Sequence, residues 1–159
     1  LSEEAEVRLD HAAFDQVVGL SANEPYNALV SGHFAPELGR HRVYQLSAQD
    51  TEEEDPRAIG MGTRGRTLIR RGRGYDSLIR DHYRGWSFGK TKLTEEYDLE
   101  DYRKDRPKAD LIAEIRADGT LIFLGPNREA KGGDGVTLIS FGPAREMEVA
   151  REPEEIVTD

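Results

Sequence analysis

The segment Gln16 to Leu46 constrains the fold of this chain more than any other. Gln16-Val-Val-Gly-Leu-Ser-Ala22 is a short run, apolar on consecutive positions, as in a strand covered on both faces. Asn23 to Gly39 reads as a helix with a start and a stop. Asn23 is a good N-cap, Glu24 suits the positive first turn, and Pro25 is tolerated there. Pro36 near the end and Gly39 just beyond it mark the stop. Tyr26, Leu29, Val30, Phe34 and Leu38 recur at helical spacing and define the expected buried face. His41 to Leu46 reads as a second strand. A strand, a helix and a strand in this order favour parallel pairing through a right-handed crossover. Such a unit needs partner strands. They are expected to precede residue 1 or to come from elsewhere, so the chain is expected to be a piece of something larger.

The chain has 159 residues, 36% of them hydrophobic, enough for one domain or two small lobes with a real core. No apolar run approaches the roughly 18 residues of a membrane span. There is no cysteine, which excludes disulfides, thiolate catalysis and cysteine–zinc sites. The formal net charge of -9 disfavours general nucleic-acid binding, because phosphate repulsion would have to be overcome locally.

The segment Asp50-Thr-Glu-Glu-Glu-Asp-Pro56 is an acidic run closed by proline, expected to be a surface linker. This organisation divides the chain into a strand–helix–strand half-domain over 1–49, an acidic and glycine-rich linker over 50–65, a small α/β lobe over 66–143 and an acidic tail over 144–159. Thr67-Leu-Ile69 reads as a short strand. Tyr75 to Tyr83 reads as a short helix with Leu78, Ile79 and Tyr83 inward. Trp86 to Leu93 alternates apolar and polar residues and reads as a strand. Thr94, followed by Glu95 and Glu96, reads as the cap of a helix through Tyr102. Leu111 to Arg116 and Thr120 to Leu124 flank Ala117-Asp118-Gly119, and Asp-Gly between two apolar runs is a strong hairpin signal. Gly132-Gly-Asp-Gly135 turns the chain into a last strand, Val136 to Phe141.

Catalytic chemistry finds no constellation. His11, His33, His41 and His82 lack metal-ligand spacing, no serine sits in a nucleophile elbow, and Glu95, Glu96 and Asp98 are explained by the dipole of a helix start. Gly60-Met-Gly-Thr-Arg-Gly65 spells the glycine pattern of a dinucleotide loop. That loop needs an apolar strand before it and a helix after it, whereas here an acidic loop precedes and an extended segment follows. Arg64, Arg66, Arg70, Arg71 and Arg73 form a basic island. It suits an anion, a nucleotide phosphate or an acidic lipid, or else pairs with the chain's own Glu52 to Glu54. Ser21 and Asn23 lie at the carboxyl end of a parallel strand, where open α/β sheets bind ligands. They can serve a ribose or phosphate, or Asn23 can simply cap the helix. Trp86 and Phe88 are expected in the core. The alternative, a stacking platform for single-stranded nucleic acid with Lys90 and Lys92, sits poorly with the acidic total. The candidate ligand-binding residues are thus Ser21, Asn23, Arg64 and Arg66, with no catalytic residue and no metal site.

Val17-Val-Gly-Leu-Ser-Ala-Asn-Glu-Pro-Tyr-Asn-Ala-Leu29 resembles a strand–loop–helix late in the Rossmann-like domains of potassium-conductance regulators and TrkA-type proteins. The likeness continues through Phe34 and Gly39-Arg-His-Arg-Val-Tyr-Gln-Leu46. Gly65-Arg-Thr-Leu68, Lys90-Thr-Lys-Leu-Thr-Glu-Glu-Tyr97, and Asp118-Gly-Thr-Leu121 to Gly133-Asp-Gly-Val136 are similar to the cytosolic tail of bacterial sodium/proton antiporters of the cation:proton antiporter superfamily. The resemblance covers about residues 14–143. It implies an α/β fold, with a partial Rossmann-like unit followed by a small TrkA-C-like lobe. It also implies a non-enzymatic regulatory or oligomerisation domain, at the cytoplasmic face of the inner membrane, modulating Na⁺ or K⁺ exchange for H⁺. The implied partners are the protein's own transmembrane antiporter domain and a second copy in a homodimer. The resemblance implies adenine nucleotide or NAD(H) as a ligand, but the family's glycine-rich phosphate loop would precede residue 1 and is absent here, so no cofactor is expected in this fragment. The alternative is a stand-alone nucleotide-binding protein or dinucleotide-dependent enzyme.

Overall fold

In the computed structural model, which describes residues 14–47, 65–70 and 72–144, the chain divides into two units, Leu1–Tyr75 and Asp76–Asp159. The structure is mixed α/β, with one parallel and one antiparallel sheet. The acidic run, the tail from residue 145, Gly60, Gly62, Arg64 and Arg71 lie outside the described residues.

The first unit is a three-stranded parallel sheet in the order β1 (Val17–Gly19), β2 (Val43–Gln45), β3 (Arg66–Thr67). Helix α1 (Glu24–Leu38) connects β1 to β2, and a 3-10 turn over Arg40–Arg42 leads into β2. Asn23 caps α1 as expected, its Oδ1 accepting from the Tyr26 amide at 3.0 Å. The central strand is the buried one, with Val43, Tyr44, Gln45 and Leu46 all removed from solvent. Two expectations fail here. Arg66–Thr67 pairs parallel with β2, so it belongs to the first sheet and the second unit starts some ten residues beyond the expected boundary at 66. The helix face is also turned. Asn27, Ala28 and Ser31 are buried, while Tyr26 and Leu29 are 57% and 70% exposed. The small and polar ridge packs on the sheet because the backbones approach closely there: a Cβ on Gly19 would stand 3.2 Å from the Asn27 side chain.

The second unit is an antiparallel sheet in the order β4 (Trp86–Lys92), β7 (Thr137–Pro143), β5 (Asp110–Ile115), β6 (Leu121–Phe123). Helix α2 (Tyr75–Tyr83) precedes β4, and α3 (Leu99–Asp105) lies between β4 and β5. The β5–β6 hairpin closes at Asp118-Gly119, as the sequence predicts. The Gly119 amide donates to Arg116 O at 2.9 Å, the Arg116 amide donates to Thr120 O at 3.0 Å, and Gly119 takes φ +84°. That is a tight turn followed by a glycine bulge. Leu93, Tyr102, Val136 and Leu138 form the core on one sheet face, with Tyr97, Leu99, Leu111 and Ala130 packed against them. The opposite face carries Trp86 and Phe88 of β4, both in ring contact with Phe141 at 5.6 and 5.1 Å. Phe88 is not core, however, being 73% exposed. In α2 the buried residue is Ser77, and Ile79 and Tyr83 are exposed, contrary to the expected inward stripe.

Asp98, not Thr94, caps α3. Asp98 Oδ1 accepts from the amides of Glu100 and Asp101 at 2.7 and 3.0 Å, and Asp101 Oδ2 accepts from the Asp98 amide at 3.3 Å. Thr94 instead closes its own turn with the Tyr97 amide. The amide of Asp101 holds the Asp98 carboxyl below the usual aspartate range. Desolvation opposes it, and the Glu100 amide and the charge of Lys104 add to the lowering. A depressed folded pKa gives stabilisation that is present above the unfolded value of about 3.9 and is lost as pH falls through the lower folded value. The protection factors of the Tyr102 and Arg103 amides should therefore fall on acidification below about pH 4. In Asp98→Asn, which keeps an acceptor oxygen but not the titration, that acid-side loss of protection should flatten. Unchanged pH dependence in the variant would refute the assignment.

Candidate functional site

The carboxyl ends of three parallel strands lie at one end of the first sheet, the place where α/β sheets bind ligands. Ser21 to Asn23 follow β1 there and lead into α1. The Asn27 side chain reaches back from the first turns of α1 and closes this loop. Its Oδ1 accepts from the Ser21 amide at 3.2 Å and from Ser21 Oγ at 2.7 Å, and its Nδ2 donates to Ser21 O at 2.8 Å. Ser21 Oγ in turn accepts from the Asn23 amide at 3.2 Å. Both predicted residues thus stand at the predicted place, and both take part in the turn that starts the helix.

This arrangement leaves little for a phosphate. An anion at a helix N-terminus uses free backbone amides. In α1 the Tyr26 amide goes to Asn23 Oδ1 and the Asn27 amide goes to Asn23 O, while Pro25 has no amide hydrogen. Glu24 adds a carboxylate in the same turn. The turn's own hydrogen bonds take up the Ser21, Asn23, Tyr26 and Asn27 amides, so the loop suits one neutral acceptor better than a pyrophosphate.

Arg66 does not join this group. Val18, Tyr44 and Arg66 are level across the three strands. Arg66 is therefore two strands away from β1, roughly 10 Å, and three residues back from the level of Ser21, roughly another 10 Å. Its side chain is exposed. Arg64 lies outside the described residues. Beyond β3, Leu68 donates to Gln45 O at 2.8 Å and Ile69 takes φ +63°, an uncommon conformation for a β-branched residue.

Gly65 ends the glycine pattern and enters strand β3, not a helix, so it lacks the context of a dinucleotide loop. Its amide donates to Gln45 Oε1 at 3.0 Å, which also takes the Ser31 hydroxyl at 3.3 Å. Gln45 and Ser31 are both buried, so this polar station ties α1, β2 and β3 together.

The second unit holds a buried carboxylate that the sequence reading missed. Glu114 on β5 is 2% exposed, between Leu138 and Ile122 of the neighbouring strands. Its Oε2 accepts from the amides of Lys131 and Gly132 at 2.9 and 3.4 Å, and its Oε1 lies 3.9 Å from Arg116 Nε. Gly132, at φ +65°, sits against Leu99 of α3, where a Cβ would approach to 2.9 Å. The carboxylate thereby pins the glycine-rich loop over the helix. A lone charge within the apolar run Leu111 to Ile115 was the available signal. Among the described residues no group of three or more His, Asp or Glu is placed to hold a metal ion. No helix of the described residues is long and apolar enough to cross a membrane. No protein-family model, no curated protein and no solved structure matches this chain.

Proposed function

We propose that the chain is a regulatory and subunit-joining domain of a monovalent cation/proton antiporter, modulating Na⁺ or K⁺ exchange for H⁺. In this reading the first unit is a partial Rossmann-like half-domain, the second is a TrkA-C-like lobe, and the domain works at the cytoplasmic face of the membrane beside its own transporter. One observation carries it. A parallel strand–helix–strand unit is followed by a separate antiparallel lobe, and the elements of both coincide with the segments of the family resemblance. β1, α1 and β2 span the first segment, and the hairpin and the turn into β7 span the last. The polar groups at the sheet end support a non-enzymatic role, because they are engaged in closing turns.

The test is transport by the full-length parent protein in everted membrane vesicles, with and without residues 14–143. Exchange should persist in the truncated protein with an altered dependence on cation concentration or pH. A parent protein without membrane spans, or unchanged exchange, would overturn the proposal. Calorimetric titration of this chain with NAD(H) and ATP addresses the ligand. Because the start of α1 is closed to phosphate, no binding tighter than about 1 mM is expected. Micromolar binding would favour the nucleotide-binding alternative.

A further inference from the structure

Edge strands are ordinarily short, charged along their length, interrupted by proline or covered, because their open backbone groups invite pairing. β4 is an edge strand of seven residues without proline, and among the described residues no strand pairs with its outer side. Its character is split. One half of the outward-alternating row is aromatic, Trp86 and Phe88, and the other half is cationic, Lys90 and Lys92. These four share one sheet face, with Ser87, Gly89 and Thr91 on the other.

We propose that two copies of this chain join β4 to β4 in antiparallel fashion about Gly89, forming one continuous eight-stranded sheet. The interface rests on the subunit-joining role proposed above and specifies where it occurs. Pairing about Gly89 sets Phe88 opposite the second copy's Lys90, and Trp86 opposite its Lys92. Each ammonium then meets an aromatic ring on the same face, a favourable cross-strand contact. On the other face Ser87 meets Thr91. A shift by two residues in one direction sets Lys90 against Lys90, and in the other sets Arg84 against Lys92, so like charges disfavour both. Gly89 lies at the two-fold axis, where a strand glycine permits close approach of another backbone. The large exposure of Phe88 is the surface such a contact would cover.

Because the chain has no cysteine, register can be read by disulfide trapping. Directly opposed residues in an antiparallel pair have Cα atoms about 4.5–5.5 Å apart, within disulfide range. Ser87 to Ser87 across the axis is roughly 13 Å. A mixture of Ser87→Cys and Thr91→Cys chains should cross-link under mild oxidation, and neither variant alone should. By sedimentation equilibrium, Phe88→Lys should raise the dimer Kd about tenfold or more, by placing lysine opposite Lys90. Adding Lys90→Glu should restore it. Unaltered circular dichroism shows that the exposed substitutions leave the fold intact. A dimer that neither cross-links in the mixture nor responds to Phe88→Lys overturns this interface and leaves the subunit-joining role standing. A strict monomer at all concentrations overturns both.

Discussion

Glu114→Ala is expected to cost the second unit about 2–3 kcal/mol, because it removes the acceptor shared by two part-buried backbone donors and opens a cavity beside Leu138. The carboxylate is 2% exposed and accepts from the Lys131 and Gly132 amides. The effect should spread to α3, because Gly132 packs on Leu99, which lies against the core cluster. Glu114→Gln keeps one acceptor oxygen for the Lys131 amide and should cost nearer 1 kcal/mol. Trp86 is the single tryptophan and lies on β4, so urea unfolding followed by its fluorescence reports on this unit. Amide exchange at Lys131 and Gly132 supplies the local readout. A loss well under 1 kcal/mol for Glu114→Ala, with protection of those amides retained, would show that the loop holds itself.

What was legible in the sequence was the local punctuation. Asn23 and Gly39 bound α1, Asp118-Gly119 makes the hairpin, and the alternation after Trp86 is β4. What was not legible was which side of an element another backbone approaches. Apolar spacing assigned Tyr26 and Leu29 to the interior of α1, but the contact with the sheet is close enough to demand glycine on the strand side and small or hydrogen-bonding residues on the helix. Asn27 and Ser31 satisfy that demand, and nothing in helical periodicity marks them. The cap of α3 was a competition between two capable residues. Asp98 prevailed because its carboxylate serves two amides and Asp101 answers it, while Thr94 serves one. At the candidate site, strand order defeated the reading. Ser21 and Asn23 follow from their place after β1, but the place of Arg66 depends on its pairing with Tyr44, which only the register of β3 against β2 fixes.

Gly65→Ala is expected to destabilise the first unit by about 2–3 kcal/mol, at the upper part of the range for overpacking. A Cβ there would stand 2.9 Å from Ser31 Oγ, 3.0 Å from the Tyr44 carbonyl carbon and 3.1 Å from Val43 O. Two of those three neighbours are backbone atoms of the central, fully buried strand, which cannot swing aside as a side chain can. The added methyl must therefore push β3 away from β2, lengthening the bond from the Gly65 amide to Gln45 Oε1 and the bond from the Leu68 amide to Gln45 O. Removing the hydroxyl with Ser31→Ala relieves only the first contact, so the double variant should recover less than half of the loss. Full recovery would mean that the side chain, not the backbone, sets the limit. Faster amide exchange at Gln45 and Leu68 reads the displacement directly. If the third glycine of this pattern served a bound phosphate instead, Gly65→Ala would weaken nucleotide binding and leave those amides protected. The packing around Gln45 predicts the reverse: protection is lost, with or without nucleotide present.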